Sequence, residues 1–250
     1  MEPLEFEREH GDAYQALSTS PDAPPAMMGQ EEQYLKPEGR TGDSVALYTA
    51  ITSAGVLFLF TWIIVLNNDP MSMGWFALHP TLQTLAILSF VVGILTLQPT
   101  SQPKTKAAGL QRHQVAMIIG LPSVTVGTLS IVWNKYLHES KHFTTWHGIF
   151  GIISLVWLVA QFALGAGSVW FDGALFGGGL KAKQLWKYHR LSGYVLLPMV
   201  LITTNFGGAW SNWAIGHSAH GVRLIAFTLA PLVLLASLYV RIRPSKMKFF

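Results

Sequence analysis

The chain alternates between polar stretches and long uninterrupted apolar ones, and the apolar runs set its architecture. Six of them approach the roughly 20 residues needed to cross the hydrocarbon core of a bilayer. They run from Val45 to Leu66, Trp75 to Leu97, Leu110 to Trp133, Thr144 to Ser168, Trp186 to Trp210 and His220 to Val240. Each is too long for a strand, and a helix satisfies its own backbone without water, so the pattern predicts six membrane-spanning helices. The separating segments carry turn and cap residues: Asn67 to Pro70, Pro99 to Pro103, Asn134 to His142, and the glycine-rich run Asp172 to Gly179. The predicted fold is an all-α membrane protein, a six-helix bundle over residues 44–243. A disordered acidic tail over 1–43 precedes it and a short basic tail over 244–250 follows it.

Composition agrees with lipid as the solvent. Of 250 residues, 50% are hydrophobic and 12% charged, and the mean hydropathy is +0.36. A conventional water-soluble enzyme carries about twice that charge. Ten of the thirteen acidic residues lie between Glu2 and Asp43, in a segment broken by Pro21, Pro24, Pro25 and Pro37 with no apolar run to build a core. The start of the chain lacks the basic, apolar and small-residue order of a cleavable signal peptide, so the first span is expected to direct insertion. There is no cysteine. That excludes disulfides, thiolate iron–sulfur clusters, Cys-based zinc sites and covalently attached c-type haem.

Positive charge fixes an expected orientation. With a cytosolic N-terminus, fourteen Lys and Arg residues fall on the cytosolic side, and only Lys135, Lys141 and Arg223 on the other. Both termini are then cytosolic. The same bias accounts for the basic pI of about 9.3 without a nucleic-acid partner.

Four of the nine histidines lie inside the apolar segments: His79, His113, His147 and His189. Each is expected about one turn inside the start of its helix. Ionisable side chains at membrane depth need partners and mark functional sites. Because consecutive helices alternate in direction, His79 and His147 share one depth and His113 and His189 the other. Two such pairs suit two low-spin haems, each iron held by an imidazole on either side, an arrangement for electron transfer rather than oxygen binding. About 17 residues of the second helix, roughly 25 Å, separate the two depths. Small residues follow the histidines on their own helices: Gly148 and Gly151, Ser192 and Gly193, Ala116 and Gly120. They either clear a face for a flat macrocycle or mediate tight helix packing. Phe90, Met117 and Trp157 fall between the depths. Alternatives at this point are a histidine relay in a small transporter or proton channel, disfavoured by the apolar middle, and a purely structural membrane protein.

The motifs Trp75-Phe-Ala-Leu-His79-Pro80, Leu110-Gln-Arg-His113-Gln, Lys141-His-Phe-Thr-Thr-Trp-His147-Gly148 and Leu185-Trp-Lys-Tyr-His189-Arg-Leu-Ser-Gly193-Tyr194 resemble the cytochrome b561 family. The resemblance spans roughly 45–243 and is closest to the small b561-domain-containing branch. It implies two b haems, one held by His79 with His147 and the other by His113 with His189. It also implies an ascorbate-dependent transmembrane oxidoreductase, passing electrons from cytosolic ascorbate to monodehydroascorbate or ferric iron on the far side. An endomembrane location and a homodimer follow from the same resemblance. Where ascorbate-using members carry an aromatic-plus-arginine signature at the end of the second helix, this chain reads Ile94-Leu-Thr-Leu-Gln98-Pro99. A quinol or a protein partner is therefore the alternative donor. Cations placed to hold an anionic donor or haem propionates are Lys104, Lys106, Arg112, Lys183, Lys187 and Arg190, against ordinary cytosolic anchoring. On the opposite face His138, His142, His217 and His220 present either a transient ferric site or polar helix ends. His10 is a bystander in the tail.

Overall fold

A computed structural model describes residues 38–98 and 100–247. The acidic tail up to residue 37, with His10, and the last three residues lie outside the described residues. Among those described there is no strand, and six helices are long and apolar enough to span a membrane. They are α1 (Asp43–Asn67), α2 (Trp75–Leu97), α3 (Pro103–Leu137), α4 (Trp146–Gly167), α5 (Trp186–Gly208) and α6 (His220–Arg241).

Local chemistry explains the boundaries. Pro103, expected in a loop, occupies the first turn of α3, where its missing N–H costs nothing. The Gln102 and Thr105 side chains form a reciprocal capping box around it. The third helix is therefore 35 residues long, starting seven residues earlier than expected and taking in Asn134 to Leu137. The Thr145 hydroxyl caps α4 by accepting from Gly148 N at 3.2 Å. Within α6, Ile225–Leu229 forms a π turn ahead of Pro231. Proline removes the bond that the Phe227 carbonyl would have accepted. Asn205 of α5 supplies a replacement, donating from Nδ2 to Phe227 O at 2.7 Å and to Thr228 Oγ1 at 3.0 Å.

Segment 38–43, read from sequence as tail, is built into the helical body. Glu38 Oε1 accepts from Ser101 N, Ser101 Oγ, Gln102 N and Thr105 Oγ1 at 2.6–2.9 Å, which fastens it to the start of α3. Desolvation pushes the Glu38 carboxyl up; the bonds from the Ser101 hydroxyl, the Gln102 and Ser101 amides and the Thr105 hydroxyl outweigh it and hold the group at about 2.

Helix packing follows the rule for lipid, in which small residues let backbones approach. Ala46, Ala50 and Ala54 recur every four residues on α1 and are buried, against α2 and α6. One apolar core, including Leu57, Val91, Leu95, Leu201, Phe227 and Leu234, joins α1, α2, α5 and α6. A second, built from Ala86, Phe90 and Val124 with Met117, Leu121, Leu155 and Leu158 against them, joins α2 and α3 to α4. Close backbone contacts join α2 to α3, α1 to α6, α4 to α5 and α1 to α2, and are few between the α2–α3 pair and the α4–α5 pair. On the side of the N-terminus the ends of α1, α2 and α6 are tied by charge. The Arg241 guanidinium, 3% exposed, donates to Asp43 O and to Leu95 O (2.9 Å). Arg243 pairs with the Asp43 carboxylate, which also accepts from Arg40 N at 2.6 Å.

Candidate functional site

The four membrane histidines form two facing pairs in the space between α2–α3 and α4–α5. His79 of α2 faces His147 of α4 with ring centres 5.8 Å apart and planes at 77°. His113 of α3 faces His189 of α5 at 6.2 Å and 87°. These are the pairings expected from helix direction. His79 and His147 lie toward the side opposite the N-terminus; His113 and His189 lie toward the N-terminal side. One placement differs from expectation: because α3 begins at Pro103, His113 sits ten residues inside its helix rather than one turn.

Each histidine is oriented by its neighbouring helix. His79 Nδ1 bonds Gly127 O of α3 at 2.9 Å, and His113 Nδ1 bonds Gly93 O of α2 at 3.2 Å. His147 Nδ1 bonds Thr203 O of α5 at 2.9 Å. A carbonyl only accepts, so in these three rings Nδ1 carries the proton and Nε2 is the free lone pair. The His189 ring likewise turns to the main chain of Gln161 on α4, and its own backbone oxygen accepts from Gln161 Nε2 at 2.6 Å. Since His79 and His113 bond to Gly127 and Gly93 on each other's helices, the two depths are fourteen residues apart on α2 and on α3. That is about 21 Å of helical rise, shorter than the expected 25 Å.

The glycines that matter most to the rings are not those following the histidines. A Cβ on Gly207 would stand 2.7 Å from both Cε1 and Nδ1 of His147, and one on Gly165 would stand 2.6 Å from His189 Cε1. Both glycines belong to the helix across from the histidine. The residues singled out from sequence face protein instead. Gly120 lies under the Phe90 ring, with a built Cβ 2.5 Å from Cε1; Gly151 faces Thr203; Gly193 faces the Gln161 carboxamide. Ser192 accepts from Trp157 Nε1 at 2.7 Å. Gly207 and Gly165 escape sequence reasoning because nothing in one strand of text shows which face of one helix meets a side chain of another.

Between the two pairs the space is apolar. Phe90 is 5% exposed and packs with Met117, Leu121, Val124, Leu155 and Leu158. Of the predicted cations, Lys104 and Lys106 are exposed on the first turn of α3, and Lys183 is exposed on the short helix Gly179–Gln184. The Lys187 ammonium lies over the Tyr188 ring at 5.1 Å. Arg190 is half-buried immediately after His189. Arg112 is exposed beside a cavity of about 460 Å³ that Ser89, Val92 and Ile119 also line, and reaches Thr96 O at 3.4 Å. On the opposite side, His138 and His217 turn Nδ1 back onto Asn134 O and Trp213 O, each at 2.7 Å, and His217 stacks on Trp213. Among the described residues no three His, Cys, Asp or Glu side chains come together as a metal group.

The family model for eukaryotic cytochrome b561 matches residues 70–215, more than half of the chain and all four membrane histidines. No curated protein matches it.

Proposed function

Starting from the premise that this chain belongs to the eukaryotic cytochrome b561 family and serves haem-based electron transfer across a membrane, we propose that it is a dihaem transmembrane oxidoreductase. Its donor is cytosolic ascorbate and its acceptor, on the far side, is monodehydroascorbate or ferric iron. The observation that carries the reading is the presence of two facing histidine pairs at two depths.

The residues fit the group. Two imidazoles bound to one iron from opposite sides, each through a nitrogen about 2 Å from the metal, place their ring centres about 6 Å apart. The observed separations are 5.8 and 6.2 Å. His79 and His147 would hold one haem, and His113 and His189 the other. A b haem held by two imidazoles would supply one-electron exchange at its iron. Carbonyls of Gly127, Gly93 and Thr203 fix three of the rings in the tautomer that offers Nε2, and raise the basicity of the ligand. Phe90, Met117, Leu121, Val124, Leu155 and Leu158 fill the layer between and keep water and ions from crossing. On the cytosolic side Lys104, Lys106, Arg112, Lys183, Lys187 and Arg190 favour the approach of an anionic donor and the anchoring of propionates. The fourteen-to-three charge bias supports cytosolic termini, and an endomembrane homodimer is the assembly proposed.

The test is a reduced-minus-oxidised spectrum of the detergent-purified protein, with haem counted per chain and ascorbate compared with dithionite. Two low-spin b haems reduced by ascorbate are expected. His113→Ala and His189→Ala should each lose the cytosolic-side haem and ascorbate reduction. Reduction by dithionite alone would replace ascorbate with a quinol or protein donor. Retention of both haems in either variant would overturn the ligand assignment.

A further inference from the structure

The connection from α4 to α5 is folded on itself. It leaves α4 at Ser168, passes through a turn-rich stretch over Trp170–Phe176 and a short helix over Gly179–Gln184, and enters α5 at Trp186. Gly173, at φ +72°, brings the two pieces together: a Cβ built on it would lie 2.3 Å from the Ala182 Cβ. Gly173 and Ala182 are both buried.

The large apolar side chains of this small unit nevertheless point outward. Phe171 is 89% exposed, Leu175 72% and Leu180 78%. Phe171 and Asp172 are each held at φ +54°, a left-handed backbone that is rare for a bulky residue and gathers at functional segments. On the short helix Leu180 and Lys183 are neighbours three residues apart, with Lys181 exposed beside them. From Ser168 to Arg190 the chain carries four cationic residues and a single acid, Asp172.

The unit also lies along the edge of the membrane-spanning body. Trp170 packs edge-on against Phe162 with ring centres 5.8 Å apart, and Phe162 stands about 7.5 Å inside the end of α4. Leu175 and Phe176 lie against Gly167, the last residue of that helix. Exposed apolar groups are thus held at the level where the spans leave the hydrocarbon. A cluster of this kind marks an interaction surface, and aromatic and aliphatic groups backed by lysine are the composition of elements that lie in a membrane interface. We propose that segment 168–185 binds the leaflet on the N-terminal side. Phe171, Leu175 and Leu180 enter the boundary between headgroups and acyl chains, and Lys181 and Lys183 pair with the headgroups of anionic phospholipids. Lipid is the partner because Trp170 and Leu175 anchor the unit against a span, and anionic lipid because the charge around it is positive. Attraction to an anionic surface fades within a Debye length, so the lysine contribution weakens with salt. The inference rests on the embedding of the chain in a membrane and is independent of the donor and acceptor.

The chain has no cysteine, so one thiol probe can be placed at will. An environment-sensitive fluorophore at Leu175→Cys is compared with one at Lys141→Cys, which is exposed in the α3–α4 connection. The full chain is reconstituted into vesicles of phosphatidylcholine, with or without phosphatidylserine. At position 175 the emission should be blue-shifted, quenched by phospholipid brominated near the top of its acyl chain, and shielded from aqueous acrylamide; at position 141 the reverse is expected. Lipid quenching at 175 should be stronger with phosphatidylserine, and that excess should be lost at high salt and in the double variant Lys181→Gln, Lys183→Gln. Should the double variant fail to insert, the salt dependence carries the same test. Free access of acrylamide to position 175 in both vesicles would overturn the proposal. Shielding from both quenchers, the signature of a protein covering the patch, would do so too. Equal lipid quenching with and without phosphatidylserine would overturn the assignment of anionic lipid.

Discussion

Gly207→Ala is the sharpest probe of how the bundle holds a haem ligand. The added Cβ would lie 2.7 Å from both Cε1 and Nδ1 of His147, against ordinary carbon contacts of about 3.5–4.0 Å. Relief requires the ring to retreat by about 0.7 Å. A comparable stretch of the 2.9 Å bond from His147 Nδ1 to Thr203 O takes it to about 3.6 Å, which is no longer a hydrogen bond. Overpacking of this kind costs about 1–3 kcal/mol, and the lost bond about 0.5–1.5 kcal/mol net. Without haem the imidazole can rotate away, so the whole cost, about 1.5–4.5 kcal/mol, falls on haem affinity, a weakening of about 10- to 1000-fold. Alanine also improves the helix by up to about 1 kcal/mol, so the haem-free protein should melt no lower than before. The assay is haem per chain under dilution or competition with a haem-scavenging protein, alongside the thermal midpoint of the apoprotein. Gly151→Ala is the control, because its built Cβ meets only Thr203 Cγ2 at 3.8 Å. Full retention of the His79/His147 haem in Gly207→Ala, or equal loss in Gly151→Ala, would refute the reasoning.

Two further predictions concern stability on the N-terminal side. Arg241→Met should lower the thermal midpoint by removing the charged donor shared by Asp43 O and Leu95 O, a loss on the order of 2–3 kcal/mol, while leaving the haem spectrum intact; an unchanged midpoint would show that the helix ends do not depend on it. Glu38→Gln tests the cap on α3 through pH. With the folded carboxyl held at about 2, below its ordinary 4.5, its stabilisation is present in full above pH 4.5 and is lost as pH falls from there toward 2. The difference in melting temperature between the native protein and Glu38→Gln should therefore be flat from pH 6 to 8 and shrink only in acid; a change between pH 6 and 8 would contradict the assignment.

Much of this arrangement was readable in the sequence, because a bilayer leaves few ways to satisfy a backbone. Apolar length alone predicts six spans, and the alternation of helix direction predicts which histidines face each other. What escaped has specific causes. Pro103 reads as a breaker, yet at the first position of α3 it starts a helix, which shifted His113 deeper. Arg241, Arg243 and Asp43 read as topogenic or tail charges, whereas they close a buried network between chain positions about 200 apart. Glu38 is one acidic residue among ten in a polar stretch, and only its contact with the start of α3 separates it from the rest. Gly207 and Gly165 were hidden because the relevant neighbour of a histidine lies on another helix. The interval of fourteen was present in the text all along, but it has meaning only once its end point is seen to touch a different histidine.

That interval also constrains how the chain can change in length. Fourteen residues make just under four helical turns, so the two marked positions on each helix lie near one face, within about 40° of each other. One residue inserted between them would turn the far end by about 100° and slide it about 1.5 Å. On α2, for example, an insertion after His79 would swing Gly93 away from His113 and disturb the second site while leaving the first ligand where it was. The fourteen-residue intervals of α2 and α3 should thus resist insertion and deletion far more strictly than substitution. The loops joining α1 to α2 and α3 to α4 carry no such measure and are free to vary in length.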